Sequence, residues 1–322
     1  MKSQSLATAL GFISTAAAAK LHTPAPVVVD SPVGYGAGVT GGAGGNITTV
    51  TTCADLVAAT NKELTTARIV YIDGLLDNCG YVSVGSNISI FGKGAKSGIT
   101  NSGFHVRKAT NVILQNLALG PAPPKFDIVT LEESTKIWID HNTFISHGLS
   151  VDKDDYDGLL DITHASDAIT VSWNTFTGHW KGSLVGHSDN NGAQDTGKLH
   201  ITYHHNLFDK VNSRLPSVRF GSVHVFNQHV TGTNTSAVHA RMGAQIYVEN
   251  SVFHDTKLAM VTDIDSDAPG SICDVGNLLT GNSTIEITQT CNLTIPYPYT
   301  AEPVTAVVES LAAGAGAGKV SP

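Results

Sequence analysis

The sequence predicts an all-β fold, a single-stranded parallel β-helix. The main observation is a short run of alternating apolar residues that ends at Asn and recurs six times. The copies are NVILQN (111–116), KIWIDHN (136–142), AITVSWN (168–174), LHITYHHN (199–206), VHVFN (223–227) and IYVEN (246–250). The closing Asn residues lie 21 to 32 residues apart, a repeat length typical of solenoid proteins. Each unit is too short for a helix pair, and its β-branched alternation predicts one strand per unit.

The segments around the repeat are predicted to complete and cap the solenoid. Residues 51–64 are expected to form a short helix, capped by Thr52, that covers the open N-terminal end. The apolar face of this helix is expected to contain Leu56, Val57 and Leu64. Two further strands are expected at 68–74 and 86–94. A mobile C-terminal tail is expected at 312–322. An antiparallel β-sandwich is the alternative, but the repeat lacks two-residue hairpin turns.

The closing Asn residues are assigned to structure rather than to chemistry. An Asn at the same turn of successive coils tolerates the left-handed conformation, and its amide can hydrogen-bond to the Asn of the next coil. A stacked ladder is therefore predicted for Asn116, Asn142, Asn174, Asn206, Asn227 and Asn250. Trp138, Val171 and Ile201 are predicted to stack in the core.

Composition narrows the class of protein. The chain has 322 residues, of which 14% are charged, with 32 Gly and 12 Pro. These values suit one turn-rich β domain. The formal net charge is −8, and no Lys/Arg-rich run is present in the sequence, so nucleic-acid binding is not expected. No later apolar run has the length of a membrane span, and a monomer is expected.

The N-terminus and the cysteines both indicate secretion. Residues 1–19 have a basic start, an apolar stretch and small residues near a cleavage site, which predicts a signal peptide. The remainder, 20–322, is expected to be a single domain. Four cysteines suit an oxidising compartment, and among three possible pairings the solenoid order favours Cys53–Cys79 and Cys273–Cys291. Possible glycosylation sequons begin at Asn46, Asn87, Asn234, Asn282 and Asn292.

Acidic and basic residues in the long units are the candidates for chemistry. Carboxylates gathered from adjacent coils are suitable oxygen ligands for Ca²⁺, and Asp127, Asp157 and Asp161 are the candidates. The alternative is that these are solvated loop acids. Basic residues follow in the next units, and the guanidinium forks among them suit planar carboxylates. These basic residues are Lys181, Arg214 and Arg219.

Five segments together resemble polysaccharide lyase family 1, the pectate and pectin lyases, with fungal pectate lyases most similar. The segments are WIDHNTF, YDGLLDITHASDAITVSWNTF, HWKGSLVGHSD, ITYHHNLF and NSRLPSVRFGSVHVFN. The resemblance covers roughly residues 33–300. It implies a right-handed parallel β-helix, in agreement with the repeat.

The resemblance also implies roles for individual residues. Arg214 takes the position of the catalytic base, and Lys181 and Arg219 match residues that bind galacturonate carboxylates. Arg241, in HARMGAQ, matches a family arginine that reaches a distal sugar. Because arginine is protonated at neutral pH, a base at Arg214 requires neighbouring positive charge and an alkaline medium.

By the same resemblance, Asp127, Asp157 and Asp161 match the family's Ca²⁺ ligands. Two departures concern this metal site. Lys125 stands where some members carry another acid, which is expected to weaken calcium affinity in the free enzyme. Asp157 stands where bacterial relatives often have Glu. The Asp side chain is shorter but still supplies two oxygens.

The expected function is that of a secreted pectate lyase that cleaves (1→4)-α-D-galacturonan, as polygalacturonate or pectin, by calcium-assisted β-elimination. A pectin lyase is the nearest alternative, but it generally lacks the metal carboxylates. A polygalacturonase-type hydrolase would need an acid/base carboxylate pair, for which Asp157 and Asp161 could be mistaken. A non-catalytic wall-binding β-helix is the third alternative, and it would not require Arg214 beside a metal site.

Overall fold

The parallel β-helix predicted from the repeat is confirmed by the computed structural model, which describes Met1 and residues 31–322. Apart from Met1, the predicted signal peptide lies outside the described residues. One sheet contains ten strands: β1 (Asn46–Val50), β2 (Arg68–Ile72), β4 (Ile88–Gly92), β6 (Thr110–Gln115), β9 (Thr135–Asp140), β12 (Asp167–Ser172), β15 (His200–His204), β18 (Ser222–Phe226), β20 (Gln245–Glu249) and β22 (Ser271–Val275). We call it the first sheet.

The second sheet contains fourteen strands. They are β3 (Leu75–Val84), β5 (Gly98–Arg107), β7 (Ala118–Leu119), β8 (Val129–Glu132), β10 (Thr143–Phe144), β11 (Leu160–Thr163), β13 (Thr175–His179), β14 (Leu184–Val185), β16 (Leu207–Val211), β17 (Ser217–Arg219), β19 (His229–Arg241), β21 (Val252–Val261), β23 (Leu278–Thr280) and β24 (Ile285–Glu286). Between β5 and β19 this sheet divides into two rows. The first row contains β7, β10, β13 and β16, and the second, here the cleft row, contains β8, β11, β14 and β17.

Strand pairing between coils is parallel and in register. In the first sheet, for example, Val171 pairs with Ile139 on one side and with Tyr203 on the other. Matching side chains therefore stack from coil to coil along the axis. The rings of Phe144, Phe176 and Phe208 stack with centroid separations of 4.5 and 4.4 Å. The interior is thus a column of like residues packed face to face, which removes their apolar surface from water.

Two of the three predicted core residues lie in this interior. Val171 and Ile201 are fully buried in the main core. Trp138 is buried too, but it packs against Val39 and Ile113 in a separate small cluster. Successive strand residues face opposite sides of a sheet, and the neighbours of Trp138 in sequence face inward. Its assignment to the core stack is therefore wrong: it lies on the outer face, beneath the N-terminal segment.

The predicted Asn ladder is present in the three long copies of the repeat. The side-chain amide of Asn142 donates to the side-chain oxygen of Asn174 at 3.0 Å, and Asn174 donates likewise to Asn206 at 3.0 Å. The backbone N–H groups of Asn142 and Asn174 donate to the same oxygens. All three residues are fully buried, so the ladder satisfies polar groups that water cannot reach.

The other three closing Asn residues occupy a different position in the turn. Asn116, Asn227 and Asn250 have φ values of 60°, 50° and 43°, in the left-handed region. In the long copies that conformation belongs to the residue before the ladder Asn, namely His141, Trp173 and His205. The prediction of one six-membered left-handed ladder is therefore wrong. In the long copies one residue stands between the end of the strand and the closing Asn, whereas in the other copies the Asn follows the strand directly. This extra residue takes the left-handed position and moves the closing Asn into the ladder.

The capping helix begins as predicted and ends earlier. Helix α1 spans Cys53–Thr60, and the side-chain oxygen of Thr52 accepts from the N–H of Asp55 at 3.2 Å, a standard N-cap. Only Leu56 of its predicted apolar face is buried, whereas Val57 and Leu64 are exposed. Both favoured disulfides, Cys53–Cys79 and Cys273–Cys291, are formed.

The remaining helices are short. Residues Asp189–Asn191 form a single 3₁₀ turn that leads into α2 (Gly192–Asp195), and α3 spans Val307–Gly314. In the part of the chain that the structure describes, we find no helix with the length and apolarity needed to cross a membrane.

The C-terminal residues run along the outside of the solenoid, over the turns that follow the strands of the first sheet. Leu311 of α3 is buried in a cluster to which Trp173 also contributes. Beyond the helix, the N–H of Gly318 donates to the side-chain oxygen of Asn116 at 2.6 Å, and the hydroxyl of Tyr71 donates to the carbonyl of Pro322 at 3.1 Å. These contacts differ from the mobile tail expected for 312–322, because alternating Ala and Gly allow the backbone itself to approach the sheet closely.

Replacing Asn174 by Ala is expected to lower the free energy of unfolding by about 2–4 kcal/mol. The substitution leaves buried donors and acceptors on two coils unpaired, at about 1–3 kcal/mol for each unsatisfied group. Urea denaturation measures the change, with Asn190→Ala as the control, since Asn190 is exposed and lies outside the sequons. Equal stability of the two variants would show that the ladder does not stabilise the solenoid.

Candidate active site

The cleft row brings together residues that are far apart in sequence. Strand β11 pairs with β8, which places Asp161 opposite Thr130, and β14 and β17 continue the row. Neighbouring strands lie about 4.8 Å apart. Side chains at equivalent positions of four coils can therefore act on one ligand. All the predicted site residues lie in this row, in the loops beside it or at the end of β19.

Three carboxylates meet at the start of the row. Side-chain oxygens of Asp127, Asp157 and Asp161 all lie within 4.8 Å of one another. Asp127 accepts hydrogen bonds from the Thr130 hydroxyl at 2.6 Å and from the Gly158 N–H at 2.7 Å. A Cβ atom on Gly158 would overlap the Asp161 carboxylate. The absence of a side chain at this position thus allows the acids to approach.

These carboxylates repel one another, and two of them are largely buried from water. Burial raises the pKa of Asp127 to about 6, with a further contribution from the charge of Asp157, although the Thr130 hydrogen bond opposes the shift. Burial and the charge of Asp127 likewise raise the pKa of Asp161 well above its ordinary value. Asp157 is the hydrated member, with a side chain that is 50% exposed. The cluster therefore carries excess negative charge that a cation would neutralise.

The donor set fits calcium. All three ligands are oxygens, the donor type that this hard cation prefers, and one of the three is open to solvent. The structure does not place the basic group of Lys125 in the cluster. Its ammonium donates instead to the carbonyl of Asp154. The expected weakening of calcium binding by Lys125 stays a prediction.

An open cleft of about 590 Å³ adjoins the carboxylates, and its charge is opposite to theirs. Six basic side chains line it: Lys153, Lys181, Arg214, Arg219, Arg241 and Lys257. The acidic side chains on its wall are Asp154 and Asp265. Although the chain has a formal net charge of −8, this surface is locally positive and suits an anionic ligand.

The predicted basic residues differ in how they are held. Lys181 lies 3.3 Å from Asp154 and 3.5 Å from Asp157, which links the cleft to the carboxylates. Arg219 donates through Nε to Asp189 and through Nη1 to the carbonyl of Gly186 at 2.9 Å.

The guanidinium groups of Arg241 and Arg214 are held less firmly than the charged groups of Lys181 and Arg219. Arg241 donates to the carbonyl of Asp265, and its Nε is buried with no hydrogen-bond partner among the described residues. Burial, followed by the charge of Arg219, lowers the pKa of Arg241 to about 10. The Arg214 guanidinium lines the cleft and has no hydrogen bond or ion pair with a residue in the range 31–322. It is therefore free to contact a ligand.

Several cleft residues escape sequence analysis. Lys153 and Lys257 stand in segments without a distinctive pattern, and a lone Lys is usually a solvated surface residue. Trp180 is adjacent to Lys181 in the quoted motif, and its indole N–H donates to the carbonyl of Val151 at 2.8 Å. Asp189, which holds Arg219 beside the cleft, closes the same motif, but no sequence feature connects it with Arg219.

Comparison with known proteins places the chain and its architecture in one family. Residues 4–320 match the pectate lyase family. The chain belongs to the pectate lyase family. It is 44% identical over 269 residues to pectate lyase B of Colletotrichum gloeosporioides, covering 83% of this chain and 80% of that protein. It is 36% identical over 295 residues to a pectate trisaccharide-lyase of Bacillus licheniformis, covering 88% and 85% of the two chains.

The solved structures agree with this assignment. A pectate lyase from Bacillus sp. N165, in complex with trigalacturonate, superposes with a TM-score of 0.83 at 30% identity, covering 89% of this chain and 99% of that one. The prediction of a pectate lyase, an enzyme of the polysaccharide lyase class, is therefore confirmed. The alternatives of a pectin lyase, a hydrolase and a non-catalytic wall-binding protein are not favoured by any of these similarities.

Replacing Asp127 by Asn is expected to stabilise the metal-free pectate lyase at pH 7 by about 2–3 kcal/mol. An unfolded Asp has a pKa of about 3.9 and the folded group one of about 6, so the native state binds more protons between these values. Stability of the unmodified protein therefore rises as pH falls through 6, and the advantage of Asn shrinks and nearly vanishes by about pH 4.

Urea denaturation in the presence of a chelator, repeated from pH 4 to 8, measures this difference. Asp155→Asn is the control, because Asp155 is an exposed acid of the same loop region. A destabilising effect of Asp127→Asn at pH 7 would contradict the repulsion inferred for the cluster.

Proposed function

We propose that this pectate lyase is secreted and cleaves polygalacturonate by calcium-assisted β-elimination, with Arg214 as the base. The observation that carries the proposal is the unpaired Arg214 guanidinium in a basic cleft, beside three converging carboxylates. Arg214 is near enough for its charge to lower the pKa of Asp127 and Asp161 in opposition to their burial. The two disulfides support an oxidising, extracellular location.

Asp127, Asp157 and Asp161 would hold the calcium ion. When bound, calcium supplies positive charge that stabilises negative charge developing on the substrate carboxylate. Burial and mutual repulsion raise the pKa of Asp127 and Asp161 despite the opposing charge of Arg214, which supports the binding of a further cation here. Asp157 is the ligand that the substrate side can reach, because its side chain is 50% exposed.

The basic residues orient the polymer. Lys181 and Arg219 would pair with carboxylates of successive galacturonate units, and Arg241 would reach a more distant one. Such fixed charges aligned along a rigid sheet need little rearrangement when substrate binds, which favours catalysis by preorganisation.

The reaction removes the C5 proton, which is acidified by the adjacent carboxylate. Arg214 takes this proton in its neutral form, which an alkaline medium and the neighbouring positive charges favour. The C5–H electron pair then forms the C4–C5 double bond, and the C4–O bond breaks with its electrons on the leaving oxygen, which takes a proton from water. The products are a new reducing end and a 4,5-unsaturated sugar at the new non-reducing end. The Arg214 side chain is suited to this role because no described acid holds its guanidinium away from the cleft.

Calcium dependence is tested by chelation. Activity on unesterified polygalacturonate should fall to background with a calcium chelator and return when calcium chloride is added. Asp161→Ala should remove this calcium-dependent activity while circular dichroism shows an intact β-helix, and Asp155→Ala should behave as the unmodified enzyme. Full activity of the chelated enzyme would show that the calcium assignment is wrong.

Arg214→Lys is expected to lower kcat by about 10²–10⁴-fold, the usual contribution of a positioned base, with a much smaller change in KM. Lysine keeps the charge but loses the reach and shape of the guanidinium. Steady-state assay of the unsaturated uronate absorbance measures the effect, and Arg107→Lys, at an exposed arginine paired with Glu132 and Glu133, is the control. Near-native turnover of Arg214→Lys, or products that are all saturated, would exclude this mechanism.

A further inference from the structure

One acidic residue beside the basic cleft, in contact with two of the arginines that line it, has no role in the mechanism above. Asp189 lies in the segment between β14 and β15, at the start of the 3₁₀ turn. Its carboxylate accepts from Nε of Arg219, from the Ser266 hydroxyl at 2.6 Å and from the Asp267 N–H at 2.8 Å. Nη2 of Arg241 lies 3.8 Å away. One carboxylate therefore joins two cleft arginines to the loop that contains Ser266 and Asp267.

A negative charge at this place opposes the binding of an anionic polymer. The Asp189 side chain is only 17% exposed, so its charge is screened less than that of a surface residue. Partial burial would raise its pKa, but the hydrogen bonds from Ser266 and Arg219 hold that pKa well below the ordinary value. The residue is therefore ionised whenever the enzyme works, and its repulsion of substrate must be offset by another effect.

The contacts of Arg219 indicate what that effect is. Asp189 engages Nε and the Gly186 carbonyl engages Nη1, which fixes the plane of the guanidinium. Nη2 has no partner in the described part of the chain. A long side chain that is held at two points loses little further conformational freedom when its third nitrogen binds a carboxylate. Without Asp189, Arg219 would have to be ordered by the substrate.

Asp189 also neutralises two arginines that repel each other. The charge of Arg219 contributes to the lowered pKa of Arg241, so these groups are close enough to interact. A shared carboxylate between them allows both to remain charged in a partly buried wall. The loop that contains Ser266 and Asp267 is fixed to the same carboxylate, and Asp265 of that loop accepts a hydrogen bond from Arg241.

We propose that Asp189 is a positioning residue for substrate recognition, which holds Arg219 with Nη2 available to a galacturonate carboxylate. The proposal rests on the proposed function, because the ligand of Arg219 is taken to be that carboxylate. Asp189 itself does not touch the substrate in this proposal. It acts through Arg219, and its benefit to binding exceeds its own repulsion of the polymer.

The sign of the effect of Asp189→Asn tests this proposal. If Asp189 were only a negative charge in the cleft, its removal would lower KM for polygalacturonate. Positioning predicts the opposite, a rise in KM of about tenfold, the scale of one charge-assisted hydrogen bond, with kcat changed much less. Asp189→Glu restores the charge with a longer arm and should recover part of the loss. Asn190→Ala, at the exposed neighbouring residue, should have the KM of the unmodified enzyme.

A double-mutant cycle separates positioning from a general structural role. In an Arg219→Ala background, Asp189→Asn should no longer raise KM and should lower it slightly, because the group that it positions is gone while its repulsion of the polymer is removed. Additive effects of the two substitutions, or a lower KM for Asp189→Asn alone, would overturn the proposal. Should Asp189→Asn fail to fold, Ser266→Ala removes one partner of the same carboxylate. It should raise KM only while Arg219 is present, and an unchanged KM would count against positioning.

The Arg219→Ala single variant distinguishes this proposal from the one on which it rests. If Arg219→Ala leaves KM unchanged, Arg219 does not bind the substrate carboxylate, and both proposals fail at that residue. If Arg219→Ala raises KM but Asp189→Asn does not, the role of Arg219 stands and that of Asp189 is rejected.

Discussion

Parallel backbone hydrogen bonding between successive coils is the interaction on which the rest of this structure depends. It keeps equivalent residues in register, as for Ile139, Val171 and Tyr203, and holds neighbouring coils about 4.8 Å apart. The same spacing stacks phenylalanine rings in the interior and brings carboxylates from two coils together in the cleft row. The same repeated strand pairing thus forms both the core and the site. Because the site residues lie on or beside these strands, they are held as rigidly as the core.

The sequence predicts the fold well because the repeat is regular. Strand pairing, both disulfides and the buried Asn ladder follow from the positions of repeated residues. The predictions are wrong where a shift of one residue along the strand decides which way a side chain faces. Trp138 faces outward because it lies between two inward residues, and three closing Asn residues lie one position before the ladder. Spacing alone cannot resolve such differences, because a slip of one residue exchanges the faces of a strand.

The site is predicted less completely for a different reason. The sequence indicates three acids and four basic residues, and the structure gathers the acids into one cluster and places the basic residues on one cleft. The contacts that hold these groups come from distant loops. Asp189 and Ser266 are 77 positions apart, yet they share a hydrogen bond. No local pattern encodes such a pair, since its geometry depends on where two irregular loops return to the solenoid.

The contacts of the chain ends change how this elongated molecule is expected to unfold. A solenoid whose units touch only their neighbours behaves as a one-dimensional array, in which terminal units can fray independently. Here the last residues return along the outside of the solenoid. Gly318 bonds to Asn116, 202 positions earlier, and Pro322 to Tyr71, 251 positions earlier. The C-terminal segment therefore couples late coils to early ones, so that fraying at one end disturbs the other and the array melts as a single cooperative body.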